Sequence, residues 1–297
     1  FISHFIMDSG FIDHLQNLMT GGNVGVEAER IQREQLSSNM IEYLKLCASA
    51  IVTQSVSDSL RHLSGIIIKN SLGDSKDAWL QSSSSDRSQI KKLLLPALAS
   101  ENNAARKGAS TAISSIGVIE LCDSQWPELI PTLINGAKSN NQIAQEGTLS
   151  TIGLICEDIR KSIPYLETQA GDILAAVSVG LAPDKCIEVR RAAASALYGV
   201  LDIARAFFKE QQYKDKIIEL VCIGCNSSDY ITQKNSLLSF IKISELYYEY
   251  LSRGNIESIW QVTSPLINSD LDTAPLAVAF WSSIAEIEAE NRELENP

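Results

Sequence analysis

Five stretches of this chain can be laid over one another: GASTAISSIGVIEL from Gly108, EGTLSTIGLICEDI from Glu146, RAAASALYGVLDIA from Arg191, KNSLLSFIKISELY from Lys234 and LAVAFWSSIAEIEA from Leu276. A large apolar residue recurs in them as Ile116, Ile152, Leu197, Ile241 and Ile284, at separations of 36, 45, 44 and 43 positions. Three residues earlier stand Ile113, Leu149, Ala194, Leu238 and Trp281. Each stretch thus carries one apolar stripe at helical spacing. A helix with one such stripe must bury it against a neighbour, and a recurrence of about 40–47 residues is the mark of stacked helix pairs.

The stretch Trp126-Pro127-Glu128-Leu129-Ile130-Pro131 shows how one pair is built. Pro127 can open a helix, because a missing N–H costs nothing in the first turn. Leu129, Ile130, Leu133 and Ile134 then give that helix one apolar face, Gly136 to Asn141 supply a polar turn, and a second helix runs from Asn141 to Ile159. Similar pairs follow from the periodicity elsewhere: Phe11 to Met19 with Val24 to Leu36, and Met40 to Val52 (capped by Ser37 or Ser38) with Ser57 to Leu72. Ser88 to Leu98 pairs with Asn102 to Leu121, Pro164 to Leu181 with Ile187 to Phe208, Lys214 to Cys225 with Tyr230 to Leu251, and Asn255 to Ile267 with Thr273 to about Leu294. The region 73–89, with DSKD and SSSS, has loop composition and is expected to be an exposed, mobile loop inside the array. The reading is a single all-α array over 1–297, a superhelical solenoid of about seven hairpins. Two helices per unit favour the HEAT form over the three-helix armadillo form.

Composition narrows the function classes. With 45% apolar and 21% charged residues, a substantial core is possible and global disorder is not expected. A net charge of −11 argues against nucleic acid as the main ligand and favours a basic protein partner. No run reaches the roughly 18–20 apolar residues of a membrane helix. The leading FISHFIMDSG has no Lys, Arg or signal-peptide pattern, and no initiating Met, so processing or a boundary within a longer protein is expected. Cys47, Cys122, Cys156, Cys186, Cys222 and Cys225 all fall in apolar helical patterns and read as buried, reduced thiols.

The residues suggest no catalytic or cofactor chemistry. Cys222-x-x-Cys225 has the spacing of a zinc or redox pair, but no second pair or nearby His completes four ligands. His4, His14 and His62 do not form a nucleophilic constellation, and no phosphate-binding glycine motif accompanies Gly21-Gly22 or Gly117. The charge run from Glu286 to Glu295 reads as a solvated helix face. The expectation is a binding scaffold that is not an enzyme and holds no cofactor or metal.

Specific blocks add a family resemblance. IIIKNSL (Ile66 to Leu72), DSQWPELIPTLI (Asp123 to Ile134) and EGTLSTIGLICEDI resemble the amino-terminal part of the importin-β (karyopherin-β) family of nuclear import receptors. SELYYEYL (Ser244 to Leu251) and AVAFWSSIAE (Ala277 to Glu286) are similar to that family's sixth and seventh repeats, in the right order. The resemblance runs from about Phe11 onward, with 11–125 matching the amino-terminal-type region. It implies a receptor segment that shuttles between cytoplasm and nucleus through the pores of the nuclear envelope. Its implied partners are the GTPase Ran in its GTP form, phenylalanine-glycine (FG) repeats of nucleoporins, and importin-α or cargo, for which the adaptor site lies beyond residue 297. Neither nucleic acid nor membrane is an expected partner.

The resemblance also implies where these partners bind. Ran is expected on the second helices of the first four repeats, at Arg61, Lys69, Asn70, Arg106, Lys107, Gln145 and Glu146. Nucleoporin repeats are expected between the first helices of repeats five and six, at Leu174, Ala175, Ser178, Tyr213, Lys216 and Ile217. Ser178 and Lys216 depart from the family's more apolar pattern. Either that pocket is weaker, or the neighbouring groove near Ile256 and Trp260 carries more of the binding. Trp126 reads as structural. The rival reading is a HEAT-repeat scaffold subunit of a protein complex, recruiting its partner without GTPase control.

Overall fold

The computed structural model describes residues 9–158, 164–269 and 272–295. The expected helix end at Ile159 and the leading segment with His4 lie outside them. Fifteen α-helices and no strand occur among the described residues. The first is α1 (Ser9–Leu18), followed by α2 (Gly22–Val52), α3 (Asp58–Asp74), α4 (Lys76–Gln81), α5 (Ser84–Ala97), α6 (Asn103–Cys122) and α7 (Leu129–Ala137). Then come α8 (Gln142–Asp158), α9 (Pro164–Gly180), α10 (Ile187–Val200), α11 (Arg205–Phe208), α12 (Gln211–Cys225), α13 (Tyr230–Tyr247), α14 (Arg253–Thr263) and α15 (Ala274–Glu295). The chain divides into two compact units, Phe1–Pro131 and Thr132–Pro297.

Within each unit, second helices pack on second helices. In the first unit α3 lies against α6, and in the second the order is α8, α10, α13, α15. Small residues make this possible. A methyl added to Gly65 would lie 2.5 Å from the carbonyl oxygen of Gly108, and one on Gly108 would lie 2.7 Å from that of Arg61. The same device joins α8 to α10, where a methyl on Gly199 would lie 2.9 Å from the carbonyl oxygen of Gly153. Backbones that meet this closely leave no room for a Cβ, which explains the Gly, Ala and Ser content of these helices.

The recurring stripe is buried at Ile113, Ile116, Leu149, Ile152, Ala194 and Leu197. In α13 and α15 the inward face sits one residue earlier than expected. Leu237 and Phe240 are fully buried in place of Leu238 and Ile241, and Phe280 takes the place expected for Trp281, with Ile284 buried as predicted. Phe240 and Phe280 pack on each other at 5.7 Å, while Trp281 turns aside to donate its indole N–H to Thr263 of α14.

Several local expectations are corrected. The region 73–89 is not a simple exposed loop: it holds α4, with Trp79 fully buried, and the start of α5. α2 is interrupted at Asn39, and Asn39 itself, not Ser37 or Ser38, caps the following segment by accepting from the Glu42 amide. The helix after Trp126 begins at Leu129, with Pro127 in the turn before it. Its predicted face of Leu129, Ile130, Leu133 and Ile134 is buried, as is Trp126.

Candidate partner-binding faces

The second helices carry the residues expected to meet a GTPase, and the structure sorts them into two groups. Lys69, Asn70 and Lys107 are exposed, and Glu146 is half-exposed. Arg61, Arg106 and Gln145 share another role. Each donates its backbone amide to the carbonyl of the residue capping its helix, Ser57, Asn102 or Asn141. Each then folds its side chain back onto the turn before the helix. Arg61 donates to the carbonyls of Thr53 and Val56 at 2.8 and 2.9 Å, Arg106 to Ser100 and Glu101 at 2.7 and 3.0 Å, and Gln145 to Ser139 at 2.7 Å. Gln233 does the same in α13, donating to the Cys225 carbonyl at 2.9 Å. These are clamps between the turn and the helix it feeds. Arg61 is only 5% exposed and Gln145 only 1%, so their surfaces serve the fold.

Polar links one repeat apart, which the sequence did not reveal, hold neighbouring hairpins in register. Asn102 caps α6 and donates to Asp58 at the start of α3, at 2.8 Å. Gln142 accepts from the amide of Cys186 at 2.6 Å. Arg191 grips both oxygens of Asp229, the cap of α13, at 2.6–3.0 Å. The Arg191 guanidinium holds the Asp229 carboxyl down at about 2. Asn255 donates to Asp215 at 2.8 Å, and Lys242 reaches Asp202 at 2.8 Å from α13.

The first unit also holds a buried charge cluster. Glu120 of α6 has no exposed surface and accepts from Trp79 at 3.1 Å, Arg87 at 3.1 Å and Lys91 at 2.7 Å. The Lys91 ammonium lies 4.5 Å from the centre of the Trp126 ring. Trp126 is therefore a buried structural anchor.

The residues expected to meet nucleoporins all lie in the second unit. Leu174 of α9 and Ile217 of α12 are buried and can contribute little more than a floor. Ala175, Tyr213 and Lys216 are exposed, and Ser178 and Ile256 are half-buried. Tyr213 packs edge-on against Phe207 at 5.4 Å, and Lys216 pairs with Glu219 at 2.9 Å. Trp260 of α14 is 50% exposed and stands edge-on against Trp281 at 5.0 Å. An indole left half in water at the end of an aromatic row is the most ligand-ready apolar surface in this set.

The thiols offer less. Cys47, Cys156 and Cys225 are buried and Cys222 partly so, but Cys122 and Cys186 are exposed, against the expectation of uniform burial. Cys122 is the last residue of α6 and Cys186 the cap of α10, where a helix end reaches solvent. Burial pushes the Cys222 thiol up to about 11 and that of Cys225 well above its ordinary value, so neither favours a thiolate. Among the described residues no group of three His, Cys, Asp or Glu could hold a metal ion, and no helix is long and apolar enough to cross a membrane. His62 is exposed, and His14 bonds Tyr43 at 3.0 Å.

Stacked helix pairs with small-residue seams and one-repeat polar links define a HEAT-repeat protein. No protein-family model matches the chain. Importin subunit beta-1 of Arabidopsis thaliana is 30% identical over 278 residues, covering 90% of this chain and 32% of that protein. The Schizosaccharomyces pombe importin subunit beta-1 is 28% identical over 288 residues, covering 93% and 33%. A crystal structure of importin beta, obtained in an ammonium sulfate condition, superposes with a TM-score of 0.87 at 29% identity, over 94% of this chain and 34% of that one. The same fold is present in Kap95 complexed with Nup1 and in Kap95p bound to RanGDP, at TM-scores of 0.82 and 0.83 and identities of 22% and 21%. Each of those matches covers 97% of this chain and 35% of the other. The chain is an importin-β homologue, and it spans about a third of the length of the curated relatives it matches.

Proposed function

We propose that this chain is a nuclear transport receptor segment that binds Ran-GTP through its second helices and nucleoporin FG repeats through its first helices, for nuclear import of protein cargo. The observation that carries the reading is similarity to importin subunit beta-1 along nine-tenths of the chain. The partners follow from relatives of the same fold, Kap95 with Nup1 and Kap95p with RanGDP. On the GTPase side, exposed Lys69, Asn70 and Lys107, with Glu146, are the contacts. Arg61, Arg106 and Gln145 act indirectly, by fixing the turns that set helix direction.

On the nucleoporin side, a Phe ring needs an apolar groove with a polar rim and modest affinity, so that transport is not arrested. Tyr213 and Ala175 offer one such surface, and Ile256 and Trp260 the other. Of the two, the second exposes more aromatic area. Shuttling between cytoplasm and nucleus follows from this reading, with importin-α or cargo engaged largely outside the chain.

The test is binding to Ran loaded with a non-hydrolysable GTP analogue, with Ran-GDP alongside. A clear preference for the GTP form is expected, together with capture by an FG-repeat resin that weakens on Trp260→Ala. Equal binding to both forms of Ran, or to neither, combined with no FG capture would leave a HEAT scaffold without GTPase control.

A further inference from the structure

We propose that the turn between α9 and α10 is a compliant joint of the second unit, a turn whose opening breaks no clamp and frees a buried donor. The side chain four places after the helix cap is a clamp in α3, α6, α8 and α13. In α10 that place belongs to Arg190, whose amide bonds the Cys186 carbonyl at 3.1 Å, as its counterparts do. Yet its side chain makes no hydrogen bond to any of the described residues, and its Nε is buried without a partner. In α15 the place is held by Ala277, which has no side-chain donor to offer.

The bonds of this turn run differently. Pro183 lies within it, and the Ala182 carbonyl accepts from the Lys185 amide at 3.1 Å, not from a side chain of α10. The Cys186 amide is bonded outward, to Gln142 of the neighbouring helix α8. Among the described residues Lys185 pairs only with the adjacent Asp184. So the side-chain link of this turn runs to the preceding repeat, not to the helix it feeds.

The clamp contributes to one kind of turn and not to the other. Opening a clamped turn breaks a bond between a side chain and a carbonyl. Opening the α9–α10 turn breaks no bond from Arg190 and lets water reach a guanidinium N–H that the closed form leaves unsatisfied. Local opening therefore concentrates there.

Five of the amides that bond a cap carbonyl in this way make the test direct: those of Arg61, Arg106, Gln145, Arg190 and Gln233. Residue-resolved hydrogen exchange on the intact chain should find the Arg190 amide exchanging about tenfold faster than the other four, after correction for intrinsic rates. Gln233→Ala should bring the amide at 233 to the Arg190 rate, while Arg190→Ala leaves its own amide unchanged or slower. Equal protection at all five positions in the unaltered chain would overturn the proposal. So would Arg190→Ala accelerating exchange as much as Gln233→Ala does.

Discussion

The indole nitrogen of Trp79 donates to the carboxylate of Glu120 across 3.1 Å, and neither side chain has any exposed surface. α4 is thereby fastened to α6 through a buried charge that Arg87 and Lys91 also need. Removing the carboxylate strands two cations with little access to water. Glu120→Ala should cost about 3–5 kcal/mol, whereas Glu120→Gln, which keeps an acceptor, should cost less. Urea midpoints at constant slope would check this. A Glu120→Ala variant as stable as the parent would show that the cluster relaxes into solvent.

Trp126 closes the same region from the other side. Trp126→Ala should cost about 3–5 kcal/mol through the cavity it leaves, and it also takes away the aromatic face beneath the Lys91 ammonium. Melting and Ran binding should fall together, as scanning calorimetry and a binding titration would show. Weaker binding with unchanged melting would instead mark Trp126 as a residue that touches Ran directly.

Two glycines of α3 should respond in opposite directions to the same substitution. A methyl on Gly65 meets the backbone of Gly108, which cannot yield as a flexible side chain does, so Gly65→Ala should destabilise by about 1–3 kcal/mol. Gly73 has open space around its added methyl, and Gly73→Ala should stabilise by about 0.5–1 kcal/mol through helix propensity. Thermal midpoints of the two variants would separate seam from surface.

Acid should loosen the link between α10 and α13. Asp229, gripped by Arg191, titrates at about 2 against an ordinary value of 3.8. A carboxyl lowered on folding stabilises the fold fully above its unfolded value, and that contribution disappears as pH falls from about 4 to about 2. At pH 6, Asp229→Asn should be less stable by about 1–2 kcal/mol, since Arg191 is partly exposed and solvent screens the pair. At pH 2 parent and variant should unfold alike, and a gap that persists there would place the effect in the cap hydrogen bonds instead.

Helix-pair architecture was legible because each helix buries one stripe, and a period of 3.6 writes that stripe into the chain. The stripe slipped by one where the chain offers two apolar residues in succession, Leu237-Leu238, Phe240-Ile241 and Phe280-Trp281. Periodicity cannot choose between such neighbours, and the packing of Phe240 on Phe280 does. α4 has six residues, too few to show a period, so Trp79 looked like part of a loop. Arg61, Arg106 and Gln145 carry the right chemistry for a partner surface. Their commitment to carbonyls of the preceding turn depends on turn geometry, which side-chain type does not encode.

The links between neighbouring hairpins have a consequence for how such a chain reaches its fold. Asn102 to Asp58 spans 44 residues, Arg191 to Asp229 spans 38, and the Tyr247 hydroxyl reaches the Leu201 carbonyl over 46. Each closes a loop about one repeat long, and the entropy of closure grows only with the logarithm of that length. Adding hairpins therefore lengthens the chain without lengthening its contacts, so relative contact order falls as the array grows. Chain length and topological difficulty, which rise together in most folds, are here uncoupled.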